Sequence, residues 1–303
     1  MFHNLWQRFF PAKPRPEIPQ TIFLGLIGGV GDLVLAAPCV EALKKKFPGV
    51  KITFGVGDTI FYQTLQGNPF IDKIETPFFF NVWKNRQRQK MEREKSRDHD
   101  WVLLLDNANR EWWKEGKHLI DIYQEKCGVV LERRRPVIYL DGKDEAEGQA
   151  FLDKMGIEPG DTLIVLSPEV RSKREMKEWP HRNFQELIRR IRNNFKVKII
   201  TFVSRDSDRE YDGTICIKGF PMRPSAAVIR KADLYLGLDN GLTHIAAGFD
   251  VNMISIHIGF PVECSQPISP YAVVIAHEPF CPPDSITVDE VYEKVKEALT
   301  RHV

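Results

Sequence analysis

One stretch, residues 232–248 with the sequence A-D-L-Y-L-G-L-D-N-G-L-T-H-I-A-A-G, constrains the fold of this chain most. Its apolar run Leu234–Leu238 predicts a buried parallel strand, because such strands are covered by helices on both faces. The chain then turns through glycine at residues 239–241 and continues as a helical run. A strand that enters a helix in this way directs unpaired backbone N–H groups beyond its carboxyl end, where they and the helix dipole suit an anion.

Two interpretations of this turn stay open from the stretch alone. Gly241 allows a ligand to approach the backbone closely, and Thr243 and His244 add a hydroxyl and an imidazole, which together favour a diphosphate site. The alternative is an ordinary strand–helix junction in which Asp239 or Asn240 caps the helix.

A second unit of the same kind opens the chain, with an apolar strand at residues 21–27, the turn G-G-V-G-D and a helix at residues 33–47. The spacing of Gly29 and Gly31 places the third glycine of a dinucleotide fingerprint at Val34, which argues against a nicotinamide site. Asp32 lies at the helix start, at the strand end where open α/β sheets bind ligands. A carboxylate that only caps the helix is the other interpretation.

Strands and helices alternate through both halves of the chain, which predicts an α/β fold with parallel sheets and helices on both faces. The sequence predicts an aromatic and proline-rich segment at residues 1–20, a first domain at residues 21–156 and a second domain at residues 157–303. Residues 156–161 are the predicted hinge between the two domains. The apolar run 136–140 predicts a further strand. Two such domains place a cleft between the carboxyl ends of their strands.

Composition excludes several classes of protein. A net charge of +2 argues against a nucleic-acid binder. Five scattered cysteines support neither a disulfide framework nor a zinc site, and no D-x-D pair directly at a predicted strand end calls for another metal. No apolar run is long enough for a transmembrane helix, and reduced thiols favour the cytoplasm. The aromatic N-terminal segment predicts either a contact with a membrane surface or packing on the body of the protein.

Three polar stretches add candidate contacts. The basic run that includes Lys84, Arg86 and Arg88 predicts a solvated helix or a flap for an anionic acceptor. The loop with Lys177 follows a predicted strand, where a cation suits a phosphate group. In the turn at residues 204–210, three acids are candidates for contacts with ribose: Asp206, Asp208 and Glu210.

Five segments of the chain resemble glycosyltransferase family 9, the lipopolysaccharide heptosyltransferases. They are G-G-V-G-D-L-V-L-A-A-P, F-P-G-V-K-I-T-F, G-N-P-F-I-D-K-I, K-E-W-P-H-R-N-F and L-G-L-D-N-G-L-T-H-I-A-A-G. In the last, Asn240 stands where the family carries serine or threonine. Residues 167–169 read S-P-E where the family has P-G-A, a departure that concerns the donor.

The resemblance implies the GT-B architecture and transfer of a sugar, heptose from ADP-heptose, with inversion to a lipopolysaccharide core or related surface glycan. It implies Asp32 as general base. The candidates for the acceptor side or its turn, Gly29, Gly31 and the basic run, come from the residues themselves. The residues implied for the donor diphosphate are Lys177, Asp239, Asn240, Gly241, Leu242, Thr243 and His244. No cofactor beyond the nucleotide sugar is implied, and the expected location is the cytoplasm, at the cytoplasmic face of the inner membrane if the membrane contact is made.

Two other functions fit the same sequence features. A nucleotide-sugar epimerase or hydrolase would share the diphosphate site and would turn over donor without an acceptor. A non-catalytic nucleotide-sugar-binding protein would bind donor and transfer nothing, although Asp32 beside an intact phosphate site argues against it.

Overall fold

The computed structural model describes residues 15–57, 61–106 and 111–300. The first half contains β1 (Thr21–Leu26), α1 (Val30–Lys46), β2 (Lys51–Val56), β3 (Lys73–Glu75), α2 (Asn85–Lys95), β4 (Trp101–Leu104) and α3 (Leu119–Cys127). After α4 (Gly142–Lys154), the second half contains β5 (Thr162–Ser167), α5 (Arg174–Lys177), α6 (His181–Asn194), β6 (Val197–Val203), β7 (Ile215–Lys218), α7 (Met222–Arg230), β8 (Leu234–Leu238), α8 (Gly241–Ala247), β9 (Met253–His257), α9 (Val262–Ser265), β10 (Ala272–Ala276) and α10 (Val288–Thr300). Two 3₁₀ turns, Phe61–Thr64 and Trp112–Glu115, complete the set.

The strands form two parallel sheets, as predicted. The first sheet has the order β3-β2-β1-β4 and the second the order β10-β9-β8-β5-β6-β7. Every pairing within them is parallel. The strand order reverses between β1 and β4 in one sheet and between β5 and β8 in the other, and ligands of open α/β sheets bind at such points.

Burial explains why the central strands are continuous apolar runs. All five residues of β8 are buried, and so are the last five residues of β1. Helix α6 presents a stripe to the second sheet at helical spacing: Phe184, Leu187, Ile188 and Ile191. Helix α6 thereby covers one face of the second sheet.

The predicted strand at residues 136–140 is wrong. This segment pairs with no strand among the described residues, and its backbone instead meets helices. The Val137 amide donates to the Val34 carbonyl of α1 at 3.2 Å, and Ile138 is buried in one apolar cluster with Ala246 and Ala247 of α8. The apolar pattern of residues 136–140 therefore indicated a segment that is buried between the two halves. It did not indicate a strand of a sheet.

Residues 15–20 lie along β4. The Trp101 indole donates to the Pro16 carbonyl at 2.9 Å, and Arg15 donates to the Val102 carbonyl at 3.1 Å. The aromatic residues of the predicted N-terminal segment fall within residues 1–14, outside the described residues, so its two interpretations stay predictions. Of the helices in the described ranges, none combines the length and apolar character needed to cross a membrane.

A buried arginine, Arg223 of α7, ties the halves together. Its guanidinium donates to the Asp144 carboxylate of α4 at 2.8 Å, to the Gln66 carbonyl at 2.6 Å and to the Tyr139 carbonyl at 3.0 Å. Burial raises the pKa of Asp144, but the Arg223 hydrogen bonds outweigh burial and hold it below its usual value. Helix α4 is therefore fixed to the second half, and the predicted limit between residues 156 and 157 stays a prediction.

Replacement of Arg223 by alanine is expected to lower the free energy of unfolding by about 3 kcal/mol, because it leaves the Asp144 carboxylate buried without its partner. Urea unfolding measures the loss. The matched control is Arg230→Ala on the same helix, whose exposed side chain pairs with Glu145 at 3.0 Å and should change stability by less than about 1 kcal/mol. Equal losses in the two variants would contradict this role for Arg223.

Candidate active site

A cleft of about 1320 Å³ lies between the two halves, at the carboxyl ends of both sheets. From the first half, its walls include the turn after β1 and Asp106, which follows β4. The turn after β8 and the loop after β5 line it from the second half. Ordinary ligand sites measure about 300–1000 Å³, so this cleft has room for two substrates.

Asp32 lines the cleft on the first half and is held by two donors. One carboxylate oxygen accepts from the Gly29 amide at 2.8 Å, and the other accepts from the Tyr123 hydroxyl of α3 at 2.8 Å. Burial and the charge of Asp32 raise the pKa of Tyr123 well above its ordinary value, so its hydroxyl keeps its proton and donates. Both predicted interpretations of Asp32 therefore meet in one residue, which helps to cap α1 and also faces the cleft.

On the second half, Lys177 and Asp239 form a buried ion pair at 2.7 Å. The Ser265 hydroxyl donates to the same carboxylate at 3.2 Å, and the His244 ring lies 3.5 Å from its other oxygen. Burial alone would raise the pKa of Asp239, but the Lys177 charge and the His244 contact hold it well below its usual value. Asp239 is therefore ionised, and all of these groups line one wall of the cleft.

The side chain of Asn240 caps α8 and braces the neighbouring strand. Its carbonyl oxygen accepts from the Thr243 amide at 3.1 Å, while its amide group donates to the Ser167 hydroxyl at 2.9 Å and to the Glu169 carbonyl at 2.9 Å. Asn240 thus joins the ends of β8 and β5. The turn is therefore a capped strand–helix junction, which was one of its two interpretations. The other interpretation, a diphosphate site, is compatible with this capping.

Thr243 lies away from the cleft. Its side chain is fully buried, and its hydroxyl contacts the Leu238 carbonyl and the Tyr235 hydroxyl, the latter at 2.9 Å. The other residues predicted for the diphosphate all line the cleft: Lys177, Asp239, Asn240, Gly241, Leu242 and His244.

The starts of α1 and α8 touch across the cleft through two glycines. A Cβ atom on Gly31 would lie 2.8 Å from the His244 ring, and one on Gly241 would lie 2.7 Å from the Val30 side chain. Both distances are shorter than a side chain tolerates. Glycine at positions 31 and 241 is therefore required by the close approach of the two helix starts.

Gly31→Ala is expected to push His244 and the start of α8 away from Asp32 and to lower kcat at least tenfold, because misplacement by about 1 Å can reduce rates a hundredfold. Gly29→Ala in the same turn is the matched control, since its Cβ would meet Asp32 at an ordinary 3.7 Å. Steady-state kinetics of both variants test this. Full activity of Gly31→Ala would show that the close contact is dispensable.

The basic run is only partly arranged as a flap. Lys84 and Arg86 are exposed at the start of α2, whereas Arg88 turns inward and donates to the Leu104 carbonyl at 2.5 Å and to the Asp106 carbonyl at 3.4 Å. None of these three lines the cleft, although the preceding Trp83 does. Arg88 thus supports the end of β4.

Asp106, which follows β4, is a second carboxylate on the first-half wall of the cleft, and the sequence analysis missed it. One oxygen accepts from the Ile27 amide at 2.6 Å, and the other has no hydrogen-bond partner among the described residues. Burial raises its pKa to about 6. Nearby, Lys126 donates to the Asp106 carbonyl at 2.7 Å, and burial lowers the pKa of Lys126 to about 8. The position of Asp106 at a strand end was the available signal; for Tyr123, 91 residues from Asp32, no local signal exists.

Of the three ribose candidates, only Asp206 lines the cleft. Asp208 is exposed elsewhere, and Glu210 pairs with Lys218 at 2.7 Å. Glu169, in the loop after β5, accepts from the Ser204 amide at 3.0 Å and also from the Ser207 hydroxyl. It therefore fixes the turn that presents Asp206. Across the described ranges, no group of three or more metal-ligating side chains is placed to hold a metal ion.

Comparisons with solved structures agree with this architecture. The chain matches a family 9 glycosyltransferase from Veillonella parvula with a TM-score of 0.70 and 18% identity, over 96% of this chain and 99% of that one. It matches the ADP-heptose lipopolysaccharide heptosyltransferase II of E. coli with a TM-score of 0.65 and 14% identity, over 92% and 99%. E. coli heptosyltransferase WaaC, solved with ADP-2-deoxy-2-fluoro heptose, matches with a TM-score of 0.60 and 16% identity, over 91% and 99%. Among curated protein sequences, none matches.

The fold is thus that of the two-domain GT-B glycosyltransferases, as predicted. The sequence profile of glycosyltransferase family 9 (heptosyltransferase) matches residues 84–290, more than half of the chain. The chain therefore belongs to glycosyltransferase family 9, and its activity is that of a glycosyltransferase.

Proposed function

We propose that this protein transfers heptose from ADP-heptose to a lipopolysaccharide core or related surface glycan, with inversion at the anomeric carbon. The observation that carries the proposal is the placement of Asp32 on one wall of the cleft and the Lys177–Asp239 pair on the other. An inverting transfer needs a base beside the acceptor hydroxyl and stabilisation of the departing diphosphate, and the two walls supply one each.

In the proposed reaction, Asp32 accepts the proton of the acceptor hydroxyl while that oxygen bonds to the anomeric carbon of the donor. The bond between the anomeric carbon and the diphosphate oxygen breaks on the opposite face, and the nucleoside diphosphate leaves with the electron pair. The hydrogen bonds from Gly29 and Tyr123 fix the orientation of the base. The chemistry of these residues requires no further reactant.

The diphosphate is proposed to bind Lys177 and the first amides of α8, those of Gly241 and Leu242, which precede the first intrahelical hydrogen bond. Asp239 acts on the diphosphate through Lys177 and His244, whose positions it fixes. Asp206 is the group proposed to accept a ribose hydroxyl, since it lines the cleft beside the second sheet.

The donor and acceptor assignments rest on different support. The family description and a relative solved with an ADP-heptose analogue support ADP-heptose. An anionic acceptor is supported by exposed Lys84 and Arg86, which follow the cleft-lining Trp83. In this proposal residues 21–156 bind the acceptor and residues 157–303 bind the donor. The protein works in the cytoplasm, at the cytoplasmic face of the inner membrane.

Thermal stability against a panel of nucleotide diphosphates and their sugars tests the proposal. A ligand at 100 times its Kd stabilises a fold by about 2.7 kcal/mol, so binding is readily seen. A shift with ADP and ADP-heptose, followed by transfer to a deacylated lipopolysaccharide core, is the expected result. Shifts with UDP or GDP alone would show that the donor carries that nucleotide in place of ADP. An epimer formed without acceptor would indicate an epimerase. No shift with any nucleotide would overturn the proposal.

A further inference from the structure

Lys173, in the loop after β5, is a cation that pairs with no carboxylate in the described ranges. It lines the cleft, and its ammonium nitrogen lies 4.3 Å from the centroid of the Phe260 ring and 5.2 Å from that of the Trp113 ring. Its backbone adopts the left-handed region with φ of 54°, which side-chain-bearing residues rarely occupy. Residues in such strained conformations are fixed by the surrounding structure and are found most often at active sites and ligand sites.

The charge of Lys177 is already balanced. Its partner Asp239 is ionised and 2.7 Å away, so the pair contributes almost no net positive charge to this wall. A donor diphosphate brings about two negative charges, which need further cations or donors when they leave water. Lys173 lies close to this place, because Lys177 is 5.7 Å from the same Phe260 ring. Burial, and after it the positive charge of Lys177, lowers the pKa of Lys173.

The two rings under Lys173 come from opposite halves of the protein. Trp113 follows the first sheet and Phe260 follows β9, and their centroids are 5.1 Å apart. The Cys264 thiol also donates to the Trp113 carbonyl at 3.3 Å. The ammonium group is therefore held on a platform that spans the cleft, beside the proposed diphosphate site.

We propose that Lys173 is a second diphosphate-binding residue, whose ammonium group leaves the Trp113–Phe260 rings and contacts the phosphate oxygens of the donor. The inference rests on the proposed function, because it concerns the same diphosphate. An ammonium–phosphate hydrogen bond is stronger than a partly exposed cation–π contact, so the exchange is favourable. Since Trp113 belongs to the first half, donor binding changes a contact between the halves.

Calorimetric titration of inorganic pyrophosphate into the full chain tests the inference. Lys173→Ala is expected to weaken binding about tenfold, the loss for one charged hydrogen bond, and Lys173→Arg should stay within about threefold of the wild type. Lys143→Ala, which removes an exposed lysine of α4, is the control and should bind as the wild type does. Melting temperatures confirm that the variants are folded.

Tryptophan fluorescence gives a second readout, which a purely structural role would not move. The Trp113 signal is the difference between the wild type and Trp113→Phe. Pyrophosphate should change this signal as the ammonium group departs, and the change should be absent when Lys173 is alanine.

The outcomes separate the inference from the function on which it rests. If pyrophosphate binding is lost in Lys177→Ala but unchanged in Lys173→Ala, the inference is overturned while the proposed function stands. If the wild type binds neither pyrophosphate nor any nucleotide diphosphate, the proposed function and the inference are both overturned.

Discussion

Asp32→Asn is expected to lower kcat for sugar transfer by about a thousandfold, within the range that a positioned general base contributes. The amide retains the shape of the carboxylate and accepts one hydrogen bond, but it cannot take the acceptor proton. Donor affinity should not change, because the proposed diphosphate site lies on the opposite wall of the cleft. Single-turnover transfer assays with saturating donor measure the chemical step directly.

Two comparisons make the Asp32 result interpretable. Asp98→Asn removes an exposed carboxylate of the first half and should keep full activity. Tyr123→Phe removes only one of the two donors to Asp32 and should reduce kcat far less than Asp32→Asn does. Full transferase activity of folded Asp32→Asn would eliminate Asp32 as the base and turn attention to Asp106, the other carboxylate that lines the cleft from the described part of the first half.

Lys177→Ala is expected to have two large effects at once. Nucleotide diphosphate affinity should fall at least tenfold, because one charged contact is lost. The free energy of unfolding should also fall by about 3 kcal/mol, because Asp239 is left buried without its partner. Calorimetry and urea unfolding measure the two effects on the same samples.

The double variant Lys177→Ala/Asp239→Asn distinguishes these effects. Removing the unpaired charge should recover most of the stability, while diphosphate affinity stays low. The dependence of the free energy of unfolding on pH should change as well. The folded-state pKa of Asp239 is depressed, so its contribution to stability is present above its unfolded pKa of about 4 and is lost as the pH falls further. A double variant as unstable as the single one would show that Lys177 stabilises the fold by packing alone.

The parallel sheets could be predicted from the sequence because their signal is local. Leu234–Leu238 reads as a buried strand since helices cover both of its faces, and the turn that follows it carries its own glycine. The cleft followed from the topology, since parallel strands end at the same edge of their sheet. The facing positions of Asp32 and Lys177 followed from their places at those strand ends.

Contacts between distant parts of the chain could not be predicted in the same way. The hydroxyl of Tyr123 reaches Asp32 across 91 residues, and nothing in the sequence around either residue indicates the pair. Thr243 and Arg88 carry the right chemistry for ligand contacts. Each, however, lies on the side of its helix that faces the protein, where its side chain contacts a backbone carbonyl. The run at residues 136–140 failed as a strand for a related reason, because apolar patterning records burial but not the kind of partner.

The shared apolar cluster between α1 and α8 has a consequence for synthesis in the cell. Val30 and Val34 of α1 are buried against Ile245 and Ala246 of α8, which leave the ribosome roughly 200 residues later. At about 5–20 residues per second, the first half waits about 10–40 s with this surface uncovered. During that interval the nascent chain presents an apolar patch beside Asp32, which makes the half-finished protein a natural client for chaperones.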